Sequence, residues 1–200
     1  MKPPVTHIVD DDAAVRDALS WLLKTHGIEA VTWASAEDFL EHNQIQACAC
    51  LVLDIRMPGM SGIELFDVIR KRGCDLPVIF LTGHGDVPVA VQAIKDGAFD
   101  FLEKPVDDRS FVERIRAGLN LGIERANFRS RKGEVMRTLA ELTPREKEVM
   151  DCILAGKMNK VIADDLGIAM RTVEVHRSRV FEKMKVRSAV ELSQLLASFS

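Results

Sequence analysis

Two hundred residues leave room for one large or two modest domains, and a 47% apolar share is that of an ordinary packed chain, not a disordered or fibrous one. There is no run of about eighteen apolar residues, and the start Met1-Lys2-Pro3-Pro4 lacks an apolar stretch of the secretory kind, so the sequence predicts a cytoplasmic protein without a membrane span. The net charge of −3 is unevenly spread: residues 1–121 carry 12 basic against 19 acidic side chains and residues 122–200 carry 15 against 11, an acidic half joined to a mildly basic one, which points to separate partners.

In chain order, His7-Ile8-Val9 predicts a first strand, and Val15, Ala18, Leu19, Leu22 and Leu23 follow at helical spacing. The change of period recurs. Ala30-Val31-Thr32-Trp33 precedes Ser35-Ala36-Glu37-Asp38, Cys50-Leu51-Val52-Leu53 precedes Ile63, Leu65, Phe66 and Ile69, and Val78-Ile79-Phe80-Leu81 precedes a helix from Val87 to Ile94. A short fifth strand, Phe99 to Leu102, leads into a helix that starts near Asp108. Continuously apolar strands are buried on both faces, so the prediction is a parallel sheet covered on each side, a doubly wound (βα)5 α/β domain. The four cysteines, Cys48, Cys50, Cys74 and Cys152, include no C-x-x-C pair, and three lie in or beside apolar runs, where a reduced thiol packs as a small hydrophobe.

In such a sheet ligands gather beyond the carboxyl ends of the strands, and the residues there are polar. Asp10-Asp11-Asp12 follow the first strand, Asp54 the third, Thr82 the fourth and Lys104-Pro105 the fifth. A helix N-cap needs one aspartate, a role that suits Asp12, and leaves Asp10 and Asp11 over. Carboxylates brought together without partners repel, so their convergence requires a cation. Hard oxygen donors beside a single lysine suit Mg²⁺, with Mn²⁺ as the alternative.

Val9-Asp10-Asp11-Asp12, Leu53-Asp54-Ile55-Arg56-Met57-Pro58-Gly59-Met60, Leu81-Thr82-Gly83-His84 and Glu103-Lys104-Pro105 together resemble the signature set of receiver domains, over residues 5 to about 120. The resemblance implies a flavodoxin-like fold in which Asp54 accepts a phosphoryl group from a cognate sensor histidine kinase. It also implies that Asp10, Asp11, Asp54 and the Arg56 backbone carbonyl hold the metal, with Asp10 acting largely through water, and that Lys104 contacts the phosphoryl group. Thr82 and Phe101 take the positions of the switch pair; Phe101 stands where the family carries Tyr or Phe. Arg56 and His84 fall where the family tunes the lifetime of the phosphoryl group, and Lys104-Pro105 where its peptide bond is cis, an isomer that sequence leaves open. The receiver is expected to promote only its own Mg²⁺-dependent phosphorylation and dephosphorylation. A haloacid-dehalogenase-type phosphatase would need an acid two residues after the nucleophile, where Arg56 stands.

Residues 122–141 turn polar and basic while Phe111, Ile115, Leu119 and Ile123 keep helical spacing, so a partly helical linker is expected. Thr143-Pro144-Arg145-Glu146 then reads as a capping box with Pro at the first helical position, opening a helix that Gly156 stops. Asn159 opens a second helix ending at Gly167, Thr172 to Met184 forms a third, and Ser188-Ala189-Val190-Glu191 caps a fourth: the helix-turn-helix pattern in an all-α domain, residues 142–200. On the third helix Val173, Val180, Phe181 and Met184 share an inner face, and Arg171, Glu174, Val175, Ser178 and Arg179 an outer one.

Leu142-Thr143-Pro144-Arg145-Glu146, Ala155-Gly156-Lys157-Met158-Asn159-Lys160, Ile162-Ala163 and Thr172-Val173-Glu174-Val175-His176-Arg177 resemble the LuxR-type DNA-binding domain as it is joined to receivers in the NarL/FixJ family, among its FixJ-like and styrene-response-regulator-like members. The implied contacts to double-stranded promoter DNA are Lys160, Arg171, Thr172, Glu174, Val175, Arg177, Ser178 and Arg179, with Lys183 and Lys185 flanking at phosphates. The resemblance further implies a homodimer when phosphorylated, a link to RNA polymerase, and activation of transcription. Ala169 departs from the Ser that usually caps the recognition helix, Val161 from a common Glu, and Glu174 from a common Lys. A glutamate there can accept from cytosine.

Overall fold

The computed structural model describes residues 4–42, 49–83 and 87–199; Cys48 and His84 lie outside them. The chain divides into two compact units, residues 1–127 and 128–200.

In the first unit β1 (Val5–Val9), α1 (Ala13–Thr25), β2 (Glu29–Trp33), α2 (Ala36–His42), β3 (Ala49–Asp54), α3 (Gly62–Lys71), β4 (Val78–Thr82), α4 (Val87–Lys95) and β5 (Asp100–Glu103) alternate, and α5 (Asp108–Ala140) closes the unit. The strands are all parallel in the order β2-β1-β3-β4-β5. This is the doubly wound, flavodoxin-like sheet expected from the sequence. Side chains alternate across it. Leu51, Leu53, Val78 and Phe80 pack on one side with Phe39, Leu65 and Ile69 of α2 and α3, while Val52, Ile79 and Leu81 pack on the other with Leu22 and Leu23 of α1 and Phe111 and Ile115 of α5. Burial on both faces holds for β4 and most of β1 and β3, but not for β2 and β5. Those two are the sheet's edges, where an apolar run meets solvent along one side.

Two glycines mark close approaches of a helix to β3. A Cβ on Gly118 of α5 would stand 2.6 Å from Cys50 Sγ, so the helix lies directly on β3. A Cβ on Gly62, the first residue of α3, would stand 2.1 Å from the backbone oxygen of Asp54. Residues 122–140, read from sequence as linker, lie within α5, which contributes to both units. In the first unit its Arg125 donates to the Asp75 carboxylate at 2.7 Å.

The second unit packs α6 (Pro144–Leu154), α7 (Asn159–Leu166), α8 (Met170–Met184) and α9 (Ala189–Ala197) around Leu142, Val149, Ile153, Ile162, Val173, Val180 and Leu192, with Val135 and Leu139 of α5 alongside. Thr143 and Glu146 form the capping box of α6, and Gly167 ends α7 in the left-handed region (φ 62°), which glycine adopts without a Cβ penalty. Ser188 caps α9, while Ala169 offers α8 no side-chain cap. Among the described residues no helix is long and apolar enough to cross a membrane.

Candidate functional site

The parallel sheet brings the carboxyl ends of β1, β3, β4 and β5 to one edge, and the polar residues singled out in the sequence meet there. Asp10 is fully buried and Asp54 nearly so, whereas Asp11 is exposed. One carboxylate oxygen from each of the three lies within 4.8 Å of the others. Lys104 reaches in from beyond β5, its Nζ donating at 2.8 Å to Asp10 Oδ2 and at 2.8 Å to Asp54 Oδ2. The Lys104–Pro105 peptide is cis, and the Lys104 N–H donates to the Thr82 carbonyl at 2.8 Å.

The turns carrying these groups are pinned by backbone bonds. Asp10 Oδ1 accepts from Asp12 N–H at 2.9 Å, Asp12 caps α1 through Ala14 N–H at 2.8 Å, and Arg16 Nη1 donates to the Asp10 carbonyl at 2.6 Å. Arg56 N–H donates to Asp54 Oδ1 at 3.3 Å. The Ser61–Glu64 capping box starts α3, and Gly62 N–H donates to the Ile55 carbonyl at 3.1 Å. Arg16 escaped the sequence reading because nothing in its spacing reveals a bond to a backbone carbonyl.

Burial pushes the Asp54 carboxyl above the ordinary aspartate range and the Asp10 charge adds to that, more than Lys104 and the Arg56 N–H pull back. Burial alone would lower Lys104, but its bonds to Asp10 and Asp54 outweigh that and hold the ammonium above its usual value. With all four groups ionised, three carboxylates face one ammonium and two negative charges remain uncompensated. Hard carboxylate oxygens with that excess fit a divalent cation such as Mg²⁺.

Thr82 is fully buried, and its hydroxyl donates to the Leu102 carbonyl of β5 at 3.3 Å. Phe101 is half-buried against the core on the side of α3 and α4.

In the second unit α8 presents Arg171, Thr172, Val175, Ser178 and Arg179 outward, with Glu174 and Arg177 half-exposed, while Val173, Val180 and Met184 are buried. Lys160 is exposed on α7. Glu174 accepts from Arg171 at 3.0 Å, so the carboxylate expected to meet a cytosine is engaged by a neighbour on its own helix. Arg177 lies over the Phe181 ring at 5.5 Å. Lys183 and Lys185, expected at phosphates, are tied within the unit: Lys183 donates to the buried Glu146 at 2.7 Å and to the Glu141 carbonyl at 3.2 Å, and Lys185 to Glu134 at 2.8 Å. Their acidic partners lie 37 and 51 residues away, beyond any helical spacing rule.

Known proteins show the same two-part organisation. Residues 6–116 match the family described as response regulator receiver domain, and residues 140–196 match bacterial regulatory proteins of the luxR family. The chain is 45% identical to the transcriptional regulatory protein FixJ of Azorhizobium caulinodans, over 94% of this chain and 90% of that protein. It is 48% identical to the C4-dicarboxylate transport transcriptional regulatory protein DctR of Rhodobacter capsulatus, over 94% and 97%. The solved structure of the response regulator StyR is 42% identical and superposes with a TM-score of 0.90 over 98% of each chain. An acidic strand-end cluster joined in one chain to a helix-turn-helix, and matched along nearly its whole length by such regulators, places the protein in the NarL/FixJ family of two-component response regulators, transcription regulators controlled by phosphorylation.

Proposed function

We propose that Asp54 is the phosphoryl acceptor and that its modification strengthens operator binding through pairing of two chains. The observation that carries this reading is the Lys104 ammonium standing 2.8 Å from both Asp10 and Asp54, with Asp11 beside them. An Asp54 oxygen attacks the phosphorus of a phosphohistidine on the sensor kinase; a P–O bond forms, the P–N bond breaks, and the imidazole leaves with a proton from solvent. Two like-charged reactants must approach, and Lys104 offsets that repulsion. Asp10, Asp11, Asp54 and the Arg56 carbonyl are the groups that would hold Mg²⁺ or Mn²⁺, which supplies the remaining neutralisation when bound. Both Asp10 oxygens already accept hydrogen bonds, from Asp12 and Lys104, which suits a contact made through water.

The acyl phosphate presents new acceptor oxygens at the mouth of β4. Thr82 then exchanges its 3.3 Å bond to Leu102 for one to the phosphoryl group, and the space it leaves admits the Phe101 ring. The α4–β5 face rearranges with them. On α4, Val89, Val91 and Ile94 are already exposed, and they offer apolar surface for pairing two receivers. Pairing matters because each DNA-binding unit has few cations to spare once Lys183 and Lys185 are engaged. Base reading falls to Arg171 with Glu174, Thr172, Val175 and Ser178, and phosphate contact to Lys160, Arg177 and Arg179. Contact with RNA polymerase at the bound promoter completes the activating role.

Exposure to acetyl phosphate and Mg²⁺ should add one alkali-labile phosphoryl mass to the wild-type chain and none to Asp54→Asn. Genomic footprinting and sedimentation of the same samples should show tighter occupancy and a doubled mass. An adduct that leaves both unchanged refutes the proposal.

A further inference from the structure

The segment between β3 and α3 must carry the Arg56 carbonyl to the cation site, yet of residues 56–60 only Met57 is buried. Its ends are fixed by Asp54 and by Gly62, which presses against the Asp54 backbone. Its C-terminal part is held from another element. Glu37, in the first turn of α2, extends Oε1 to accept the Met60 N–H at 2.9 Å, across 23 residues of sequence. The same oxygen lies against Gly59, whose φ is +74° and whose missing Cβ would stand 2.7 Å from it. Nothing larger than glycine fits between the carboxylate and the loop without displacement. Glu37 itself is exposed and contributes no core packing, so its contact with the loop is its main structural engagement.

We infer that Glu37 is a positioning residue for the cation site: by accepting the Met60 N–H it holds residues 56–60, and with them the Arg56 carbonyl, in register with Asp54. This rests on the acceptor reading above, since it presumes that Arg56 contributes a metal ligand. Groups that orient a ligand without touching the metal set its affinity. Glu37 acts at four residues' remove, so its loss should weaken Mg²⁺ binding about fivefold, below the range typical of direct ligand partners.

The test uses the full chain as wild type, Glu37→Ala, Glu37→Asp and Glu37→Gln. Mg²⁺ affinity is measured by calorimetry on the unphosphorylated protein, protection of the Met60 amide by hydrogen exchange, and phosphorylation by acetyl phosphate across a Mg²⁺ series. Glu37→Gln keeps an oxygen at the right reach and should behave as wild type in all three. Glu37→Asp keeps the charge and the favourable helix-terminus position but falls short of Met60, so it should follow Glu37→Ala: Met60 exchanges faster, Mg²⁺ affinity drops, and phosphorylation slows at low Mg²⁺ but recovers at saturation. Lost Met60 protection with unchanged Mg²⁺ affinity would make Glu37 a mere loop tether and overturn the inference, as would Glu37→Asp behaving like wild type. A wild-type chain that binds no Mg²⁺ would instead bring down the acceptor reading, and this inference with it.

Discussion

Lys104 and Lys183 make nearly the same contact in the two units and serve opposite ends. Each ammonium stands 2.7–2.8 Å from a carboxylate with almost no exposure, Asp10 for Lys104 and Glu146 for Lys183. Lys183 faces that one carboxylate and gives a second hydrogen bond to the Glu141 carbonyl, so the charges cancel and helix is bound to helix. Lys104 faces Asp10 and Asp54 with Asp11 at hand, so the charges do not cancel and the cluster keeps a negative excess that suits a further cation. Balance, more than proximity, separates a closed ion pair from a cluster that suits a metal ion.

Breaking the two ion pairs one at a time separates their roles. Lys104→Met should slow phosphorylation by acetyl phosphate about a hundredfold, the effect typical of deleting one preorganised electrostatic group, and should also lower the urea midpoint of the first unit, because the buried Asp10 loses its ammonium. A variant that phosphorylates normally would demote Lys104 to a structural pair like Lys183. Gly62→Ala comes next: its Cβ would collide with the Asp54 backbone, and since neither α3 nor β3 can yield cheaply, a loss of about 3 kcal/mol is expected from chemical denaturation. Glu146→Ala should cost about 2 kcal/mol in the second unit, from the lost return bond of the capping box and a stranded, partly solvated ammonium, and leave phosphorylation by acetyl phosphate untouched. If instead it costs nothing, Lys183 is free for phosphates as first read from the sequence.

The same contrast explains what the sequence could and could not reveal. Asp10, Asp54, Thr82 and Lys104 were legible because each lies at the end of a predicted strand, and a parallel sheet gathers such positions at one edge. Thr143–Glu146 and Ser188–Glu191 were legible because a cap is a local pattern. The exposure of β2 was not, because an apolar run such as Ala30 to Trp33 looks alike at the centre and at the edge of a sheet. Arg16 on the Asp10 carbonyl, Glu37 on Met60 and Lys183 on Glu146 were equally hidden, since each joins elements whose approach is decided by packing. Lys183 and Lys185 read from sequence as cations beside a DNA-binding surface, and nothing in their spacing reveals that they pair with Glu146 and Glu134.

One titratable group of the first unit belongs to neither kind of ion pair. His7 of β1 stacks against Trp33 with ring centroids 6.0 Å apart, meets Phe39 edge-on at 5.7 Å, and accepts the Trp33 Nε1–H at its Nδ1 at 3.1 Å. The geometry assigns the proton of the neutral ring to Nε2, and a second proton on Nδ1 would set donor against donor. Burial pushes the His7 pKa below its ordinary 6.5. The unfolded chain therefore takes up the proton first as pH falls, so the stability due to neutral His7 is complete above about pH 6.5 and declines below it, until the folded value is passed. His7→Gln keeps an acceptor for Trp33 but does not titrate. Urea midpoints of the first unit between about pH 7.5 and 5.5 should fall more steeply for wild type than for His7→Gln, and parallel slopes would show that the aromatic box tolerates an imidazolium.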